Sequence, residues 1–95
     1  MKEIYFKIIG RVQGVGFRRF AVRTAKEIGE LSGWVRNAED GSVEVYIRGE
    51  EVKVEEMIAL CRKGPLFGRV DNITFLPKIT NYFLPPIIDG VFERI

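Results

Sequence analysis

The residues best suited to do chemistry lie between Gly10 and Arg18, in the segment GRVQGVGFR. Three of its first seven residues are glycines, and they come where a strand-like pattern gives way to a helix-like one. Glycine lets the backbone curl so that successive N–H groups point to one side, and the helix that follows adds the partial positive charge of its N-terminus. Arg18 can donate two parallel hydrogen bonds from the first helical turn. This combination is typical of a cradle for a phosphoryl group.

The segment differs from two common phosphate-binding patterns. It lacks the Lys and Ser or Thr that follow the last glycine of the nucleotide P-loop, and it does not have the GxGxxG spacing of dinucleotide-binding turns. An ordinary glycine-rich turn between a strand and a helix remains an alternative interpretation. Arg18 can equally be a solvated arginine, like Arg19 and Arg23, which we expect on the solvated side of the helix.

A second candidate residue is Asn37, in the segment GWVRNAEDGSVEVYIRG. Two alternating stretches joined by NAEDG predict a β-hairpin, with Asn37 at the end of its first strand. We expect this strand end to lie beside the first strand of the sheet, so that the Asn37 amide faces the cradle. A role in the turn is the alternative for Asn37. Glu39 and Asp40 fit solvated turn residues better than metal ligands.

The elements that must position these residues follow from the hydrophobic periodicity, which is two in strands and between three and four in helices. The predicted elements are a strand at Glu3–Ile9, a helix from Phe17 to near Gly29, strands at Leu31–Asn37 and Ser42–Arg48, a helix around Val54–Cys61, a strand at Val70–Leu76 and a short edge strand at Val91–Ile95. The order βαββαβ predicts an α+β, ferredoxin-like split βαβ sandwich. We expect an antiparallel sheet of four or five strands with two helices on one face, in one domain over residues 1–95.

The composition excludes several kinds of site. The chain has no histidine and only one cysteine, Cys61, so it lacks the commonest metal ligand and general base, an intramolecular disulfide and any site built on paired cysteines. Its net charge of +2 is too small to indicate a nucleic-acid partner, and no apolar stretch approaches the roughly 20 residues of a membrane helix. The N-terminus shows no signal-peptide cleavage site. We therefore expect a cytoplasmic protein with no cofactor, no metal and no nucleic-acid or membrane partner.

The two candidate segments together resemble the acylphosphatase family, whose signatures are GrVQGVgFR and GxVrNxxxGxVxxxxxG. Both occur here without gaps, and the similarity continues in GPLFGRVDNI and in VFERI. The resemblance implies a small-molecule acyl phosphate as substrate, hydrolysed to a carboxylate and inorganic phosphate without a metal. It also implies that Arg18 and the loop amides bind the phosphate and that Asn37 orients the attacking water. The implied phosphate-binding loop is Gln13, Gly14, Val15, Gly16, Phe17 and Arg18.

The segment 77–90, PKITNYFLPPIIDG, departs from the family pattern. Proline-interrupted apolar residues replace the short polar connection that the family implies. The register of the last strand and the oligomeric state depend on this segment. We expect a monomer, with residues 77–90 as a candidate self-association surface.

Two other functions fit the same fold pattern. RNA-binding domains stack bases on aromatic side chains of such a sheet, and Tyr5, Trp34 and Tyr46 are candidates for that role. Their typical Gly- and Phe-rich strand motif is missing, however, and RNA binding does not explain the glycine turn with Arg18. The chain can also resemble the acylphosphatase-like domain of a larger carbamoyl-transfer enzyme, or a catalytically silent relative. Metal-chaperone members of the fold require a cysteine pair, which is not present.

Overall fold

The computed structural model describes residues 1–77 and 84–95, and this part of the chain forms five strands and two helices. They are β1 (Lys2–Arg11), α1 (Phe17–Ile28), β2 (Ser32–Asn37), β3 (Val43–Gly49), α2 (Glu51–Lys63), β4 (Arg69–Leu76) and β5 (Phe92–Arg94). Glycines end both helices: Gly29 and Gly64 each donate their backbone N–H to a carbonyl in the last turn. The βαββαβ order and the α+β ferredoxin-like fold predicted from the sequence are confirmed.

The sheet has the strand order β4-β1-β3-β2-β5, in which β3 lies between β1 and β2. Strands β1 to β4 pair antiparallel, as predicted, but β5 pairs parallel to β2, so the sheet is mixed. The direction of β5 follows from where β4 ends. Leu76 is paired with Tyr5 near the end of the sheet at which β2 also begins, so the chain enters the far edge in the direction of β2.

Both helices cover one face of the sheet. The buried positions of α1 recur at helical spacing, at Phe17, Ala21, Thr24 and Ala25, as the sequence predicted. In α2 they are Val54, Met57, Ile58 and Cys61. They pack against fully buried strand residues, namely Phe6, Ile8, Val35, Val43, Val45 and Ile47. Each such side chain stabilises the fold by about 1.5–3 kcal/mol through its removal from water. Burial also raises the pKa of the Cys61 thiol to about 12, as expected for a cysteine that serves as a core residue.

The opposite face of the sheet carries the three aromatic side chains that suggested RNA stacking. Tyr5, Trp34 and Tyr46 pack edge to face against one another. The chain after β4 covers them in part, because the Trp34 Nε1–H donates to the Pro85 carbonyl at 2.9 Å and the Gly90 N–H donates to Ser32 Oγ at 2.8 Å. Trp34 is only 1% exposed and Tyr5 4%. Two of the three rings therefore have no surface on which a base could stack.

The predicted 77–90 segment is described at Pro77 and over 84–90, and the remainder of it, 78–83, lies outside the described residues. Residues 84–90 contact the sheet of the same chain through the hydrogen bonds to Trp34 and Ser32 and through an ion pair between Asp89 and Arg48. Among the described helices, neither is long and apolar enough to cross a membrane.

Candidate active site

The loop between β1 and α1 has the left-handed backbone that its glycines predicted. Gly14 and Gly16 have φ angles of +75° and +80°, a region that residues with a Cβ adopt only with strain. A Cβ at either position would meet no atom within 4 Å. The glycines are therefore needed for backbone conformation and not for space, which is the requirement for a loop that turns its N–H groups to one side.

The first turn of α1 continues this row of donors. Gly16 is the N-cap residue, and no side chain of the described residues caps the helix. The first helical hydrogen bond runs from the Phe20 N–H to the Gly16 carbonyl at 3.0 Å, so the preceding N–H groups of the turn have no acceptor within the helix. No acidic residue lies in this turn. Both the orphan N–H groups and the helix dipole therefore favour an anion at this point.

Gln13 fastens the loop to the β2–β3 hairpin. Its side-chain Nε2 donates to the carbonyls of Ala38, at 2.8 Å, and of Ser42, at 2.9 Å. The side chain thus bridges the ends of two strands that flank the hairpin turn. The sequence implied that Gln13 belongs to the phosphate-binding loop, and the structure adds that its amide positions the loop against the hairpin.

The turn of the hairpin is held by Asp40. Its Oδ1 accepts hydrogen bonds from the Ser42 N–H at 3.0 Å and from the Ser42 hydroxyl at 2.6 Å, while its Oδ2 pairs with Lys7 Nζ at 2.7 Å. The Lys7 ammonium and these Ser42 donors hold the pKa of the Asp40 carboxyl well below its ordinary value. Asp40 is therefore a turn residue, as predicted, and it performs the structural work that was the alternative for Asn37.

Asn37 ends β2 on the helix-covered side of the sheet. It is opposite Val43, and it alternates with the buried Val35 on the same strand. The prediction that this strand end lies beside the first strand is wrong, because β3 separates them. Since β1 and β2 both run antiparallel to β3, they end at the same edge of the sheet, and the loop after β1 extends to the hairpin through Gln13.

Arg18 and Asn37 line one small pocket of about 100 Å³. The complete lining is Val12, Gly14, Gly16, Phe17, Arg18, Arg19, Asn37 and Arg94. The half-buried Arg18 lies at the edge of the pocket, with Nη1 3.4 Å from the Ile95 carbonyl at the end of β5. Of the predicted loop residues, Gly14, Gly16, Phe17 and Arg18 thus meet Asn37 here. Gln13 instead bonds to the hairpin, and Val15 faces a neighbouring groove.

Two further arginines at this pocket were not predicted. Arg19 is exposed, as expected for the solvated side of α1, but it also borders the pocket. Arg94 belongs to β5, where its register opposite Val35 places it on the helix-covered side. The lining contains three arginines and no carboxylate, so the local potential is positive. The pocket therefore suits a small, highly charged anion.

Metal ligands are not grouped anywhere in the described part of the chain. No set of three or more histidine, cysteine, aspartate or glutamate side chains is close enough to hold an ion within residues 1–77 and 84–95. Metal-free chemistry remains a prediction, which the experiment below tests.

The fold and this pocket define a ferredoxin-like protein with an anion-binding site between its first strand and first helix. Residues 4–82 match the family model described as acylphosphatase. The acylphosphatase of Syntrophotalea carbinolica is 47% identical over 92 residues, which span 97% of this chain and 90% of that relative. The chain therefore belongs to the acylphosphatase family, which confirms the resemblance seen in its two motifs.

Solved structures agree with this assignment. The crystal structure of acylphosphatase from Bacillus subtilis superimposes with a TM-score of 0.83 at 29% identity, over 100% of this chain and 99% of that one. HypF of T. kodakarensis superimposes with a TM-score of 0.75 at 34% identity, over 100% of this chain but 12% of that one. The same fold thus also occurs as a small part of a much longer protein.

Proposed function

We propose that this chain is an acylphosphatase in which the loop amides and Arg18 bind the phosphoryl group and Asn37 orients the attacking water. The observation that supports these roles is the common pocket, where Arg18, Asn37 and the left-handed glycines meet. Its volume of about 100 Å³ is well below the roughly 300–1,000 Å³ of sites that enclose whole ligands. It suits a single phosphoryl group whose acyl portion extends outside.

The proposed reaction needs little proton transfer from the protein. The bond between phosphorus and the carboxyl oxygen breaks, the carboxylate leaves with the bonding electron pair, and the water oxygen forms a new bond to phosphorus. A carboxylate is a good leaving group, so no general acid is needed and the absence of histidine is no obstacle. The water can lose its proton to a phosphate oxygen of the substrate.

Catalysis is then a matter of positioning and charge stabilisation. The loose transition state spreads negative charge over three equatorial oxygens, which the loop N–H groups and the Arg18 guanidinium would meet. Asn37 would hold the water in line with the leaving oxygen. Gln13 acts as a positioning residue, since its two hydrogen bonds fix the distance between the loop and the Asn37 strand end.

We also propose that the protein is a cytoplasmic monomer that uses no cofactor and binds neither nucleic acid nor membrane. Burial of Tyr5 and Trp34 argues against a base-stacking surface. The contacts of residues 84–90 with their own sheet argue against self-association through this part of the segment. Light scattering across a concentration series tests the monomer, with a concentration-dependent mass as the contradicting result.

The activity is tested with benzoyl phosphate, acetyl phosphate and p-nitrophenyl phosphate in the presence of excess chelator. We expect hydrolysis of both acyl phosphates and none of the phosphate monoester, since the pocket supplies no acid for a poor leaving group. Arg62→Lys, an exposed arginine of α2 far from the pocket, is the matched control for Arg18→Lys. Activity that appears only after Mg²⁺ or Zn²⁺ is added would contradict the metal-free mechanism. A folded wild-type protein inactive on both acyl phosphates would favour a silent relative.

A further inference from the structure

A second groove adjoins the phosphate pocket and carries the most exposed large apolar side chains near the site. It has a volume of about 600 Å³ and shares Gly16 and Arg19 with the pocket. Its apolar wall includes Val15, Phe20, Leu66 and Phe67. Leu66 is 89% exposed and Phe67 76%, in the short turn between α2 and β4. Folding does not explain two neighbouring apolar side chains left in water.

The groove and Asn37 lie on opposite sides of the phosphate cradle. In the sheet, β4 adjoins β1 on one side, whereas β3 and β2 follow on the other. The turn that precedes β4 touches the cradle, because a Cβ at Gly68 would stand 3.3 Å from Val15 Cγ2. Gln13 joins the cradle to the hairpin that carries Asn37 in the other direction. The cradle is thus flanked by Asn37 on one side and by Leu66 and Phe67 on the other.

Phosphoryl transfer is in line, so the attacking and leaving oxygens lie on opposite sides of the phosphorus. If water approaches from Asn37, the carboxylate departs toward the β4 side of the cradle. We propose that Leu66 and Phe67, with Val15 and Phe20 behind them, form the binding surface for the acyl group of the substrate. The enzyme then prefers apolar acyl phosphates, above all those with an aromatic ring. This inference rests on the proposed roles of Arg18 and Asn37.

Another groove competes for the same role. It has a volume of about 520 Å³, lies between α1 and β5 and is lined by Arg23, Lys26 and Arg94, among others. It would suit an acyl group with its own negative charge. However, β5 is the neighbour of β2, so this groove lies on the side from which the water attacks. In-line geometry therefore favours the apolar groove.

The test compares benzoyl phosphate with acetyl phosphate in wild type and in the double variant Leu66→Ser, Phe67→Ser. We expect the benzoyl-to-acetyl ratio of kcat/KM to fall about tenfold, since roughly 55 Å² of ring surface loses its cover at about 25 cal/mol per Å². Comparing ratios cancels the different intrinsic reactivity of the two substrates. Inhibition by inorganic phosphate, which reports on the cradle alone, should keep its constant. Val52→Ser, at another exposed apolar side chain of 71% exposure on α2, is the matched control.

The outcomes separate this inference from the function on which it rests. A wild-type protein that hydrolyses neither substrate would overturn the proposed function. An active wild type whose ratio is the same in the double variant and in Val52→Ser would overturn the acyl-site inference alone. The inference also fails if Arg23→Gln with Lys26→Gln makes hydrolysis of para-carboxybenzoyl phosphate less efficient relative to that of benzoyl phosphate, because the acyl group would then lie in the basic groove. Thermal unfolding checks that each variant is folded, which exposed positions should allow.

Discussion

Replacement of Asn37 by alanine separates catalysis from phosphate binding. The Asn37 side chain is exposed, and it makes no hydrogen bond with other residues in the described part of the chain. The hairpin turn is instead held by Asp40 and Ser42. Asn37→Ala should therefore change the free energy of unfolding by no more than the roughly 0.5 kcal/mol typical of surface positions.

Its effect on turnover should be far larger. Removing one preorganised hydrogen-bonding group costs on the order of 10²- to 10³-fold in rate, or about 2.7–4 kcal/mol. Since Asn37 holds water and not substrate, kcat should fall while the inhibition constant of inorganic phosphate stays near its wild-type value. Turnover of benzoyl phosphate, phosphate inhibition and thermal unfolding are measured on one preparation. Asn72→Ala, an exposed asparagine of β4, is the control. Wild-type turnover with a lowered melting temperature would remove Asn37 from the mechanism.

Three further predictions concern the cradle and its supports. Arg18→Lys should weaken phosphate inhibition by roughly 10- to 150-fold, because an ammonium cannot replace two parallel guanidinium bonds, and near wild-type inhibition would make Arg18 a surface residue. Gln13→Leu should lower both turnover and phosphate affinity and cost about 1–3 kcal/mol of unfolding free energy through two lost hydrogen bonds, as urea unfolding would measure; unchanged kinetics would refute its positioning role. The lowered pKa of Asp40 adds stability above its ordinary pKa of about 3.9, and this is lost as the pH falls toward the lowered value. Asp40→Asn should therefore lose less stability than wild type between about pH 5 and 2, and parallel pH profiles would contradict this assignment.

The sequence predicted what local physics determines. Periodicity located α1 because Phe17, Ala21 and Ala25 must face the sheet, and the positive φ angles of Gly14 and Gly16 could be anticipated from glycine itself. Asn37 was singled out at the correct strand end, since its hairpin is also local.

The remaining features depend on contacts between distant parts of the chain. The position of Asn37 relative to β1 depends on β3 being inserted between the two strands, which the chain order alone does not state. Arg94 reaches the pocket only because β5 pairs parallel to β2, a register that only the folded sheet defines. The two bonds of Gln13 and the cover over Trp34 likewise join residues 25 or more positions apart, and no local pattern encodes them.

The central claim is that water held at Asn37 attacks phosphorus and not the carboxyl carbon. Hydrolysis of benzoyl phosphate by the wild-type protein in H₂¹⁸O with excess chelator tests it, with mass spectrometry of both products and an enzyme-free sample as the control. Attack at phosphorus cleaves the bond between phosphorus and oxygen, so the account predicts one ¹⁸O atom in the inorganic phosphate and none in the benzoate. Label in the benzoate, above the level of the enzyme-free sample, would show attack at carbon and would contradict the mechanism.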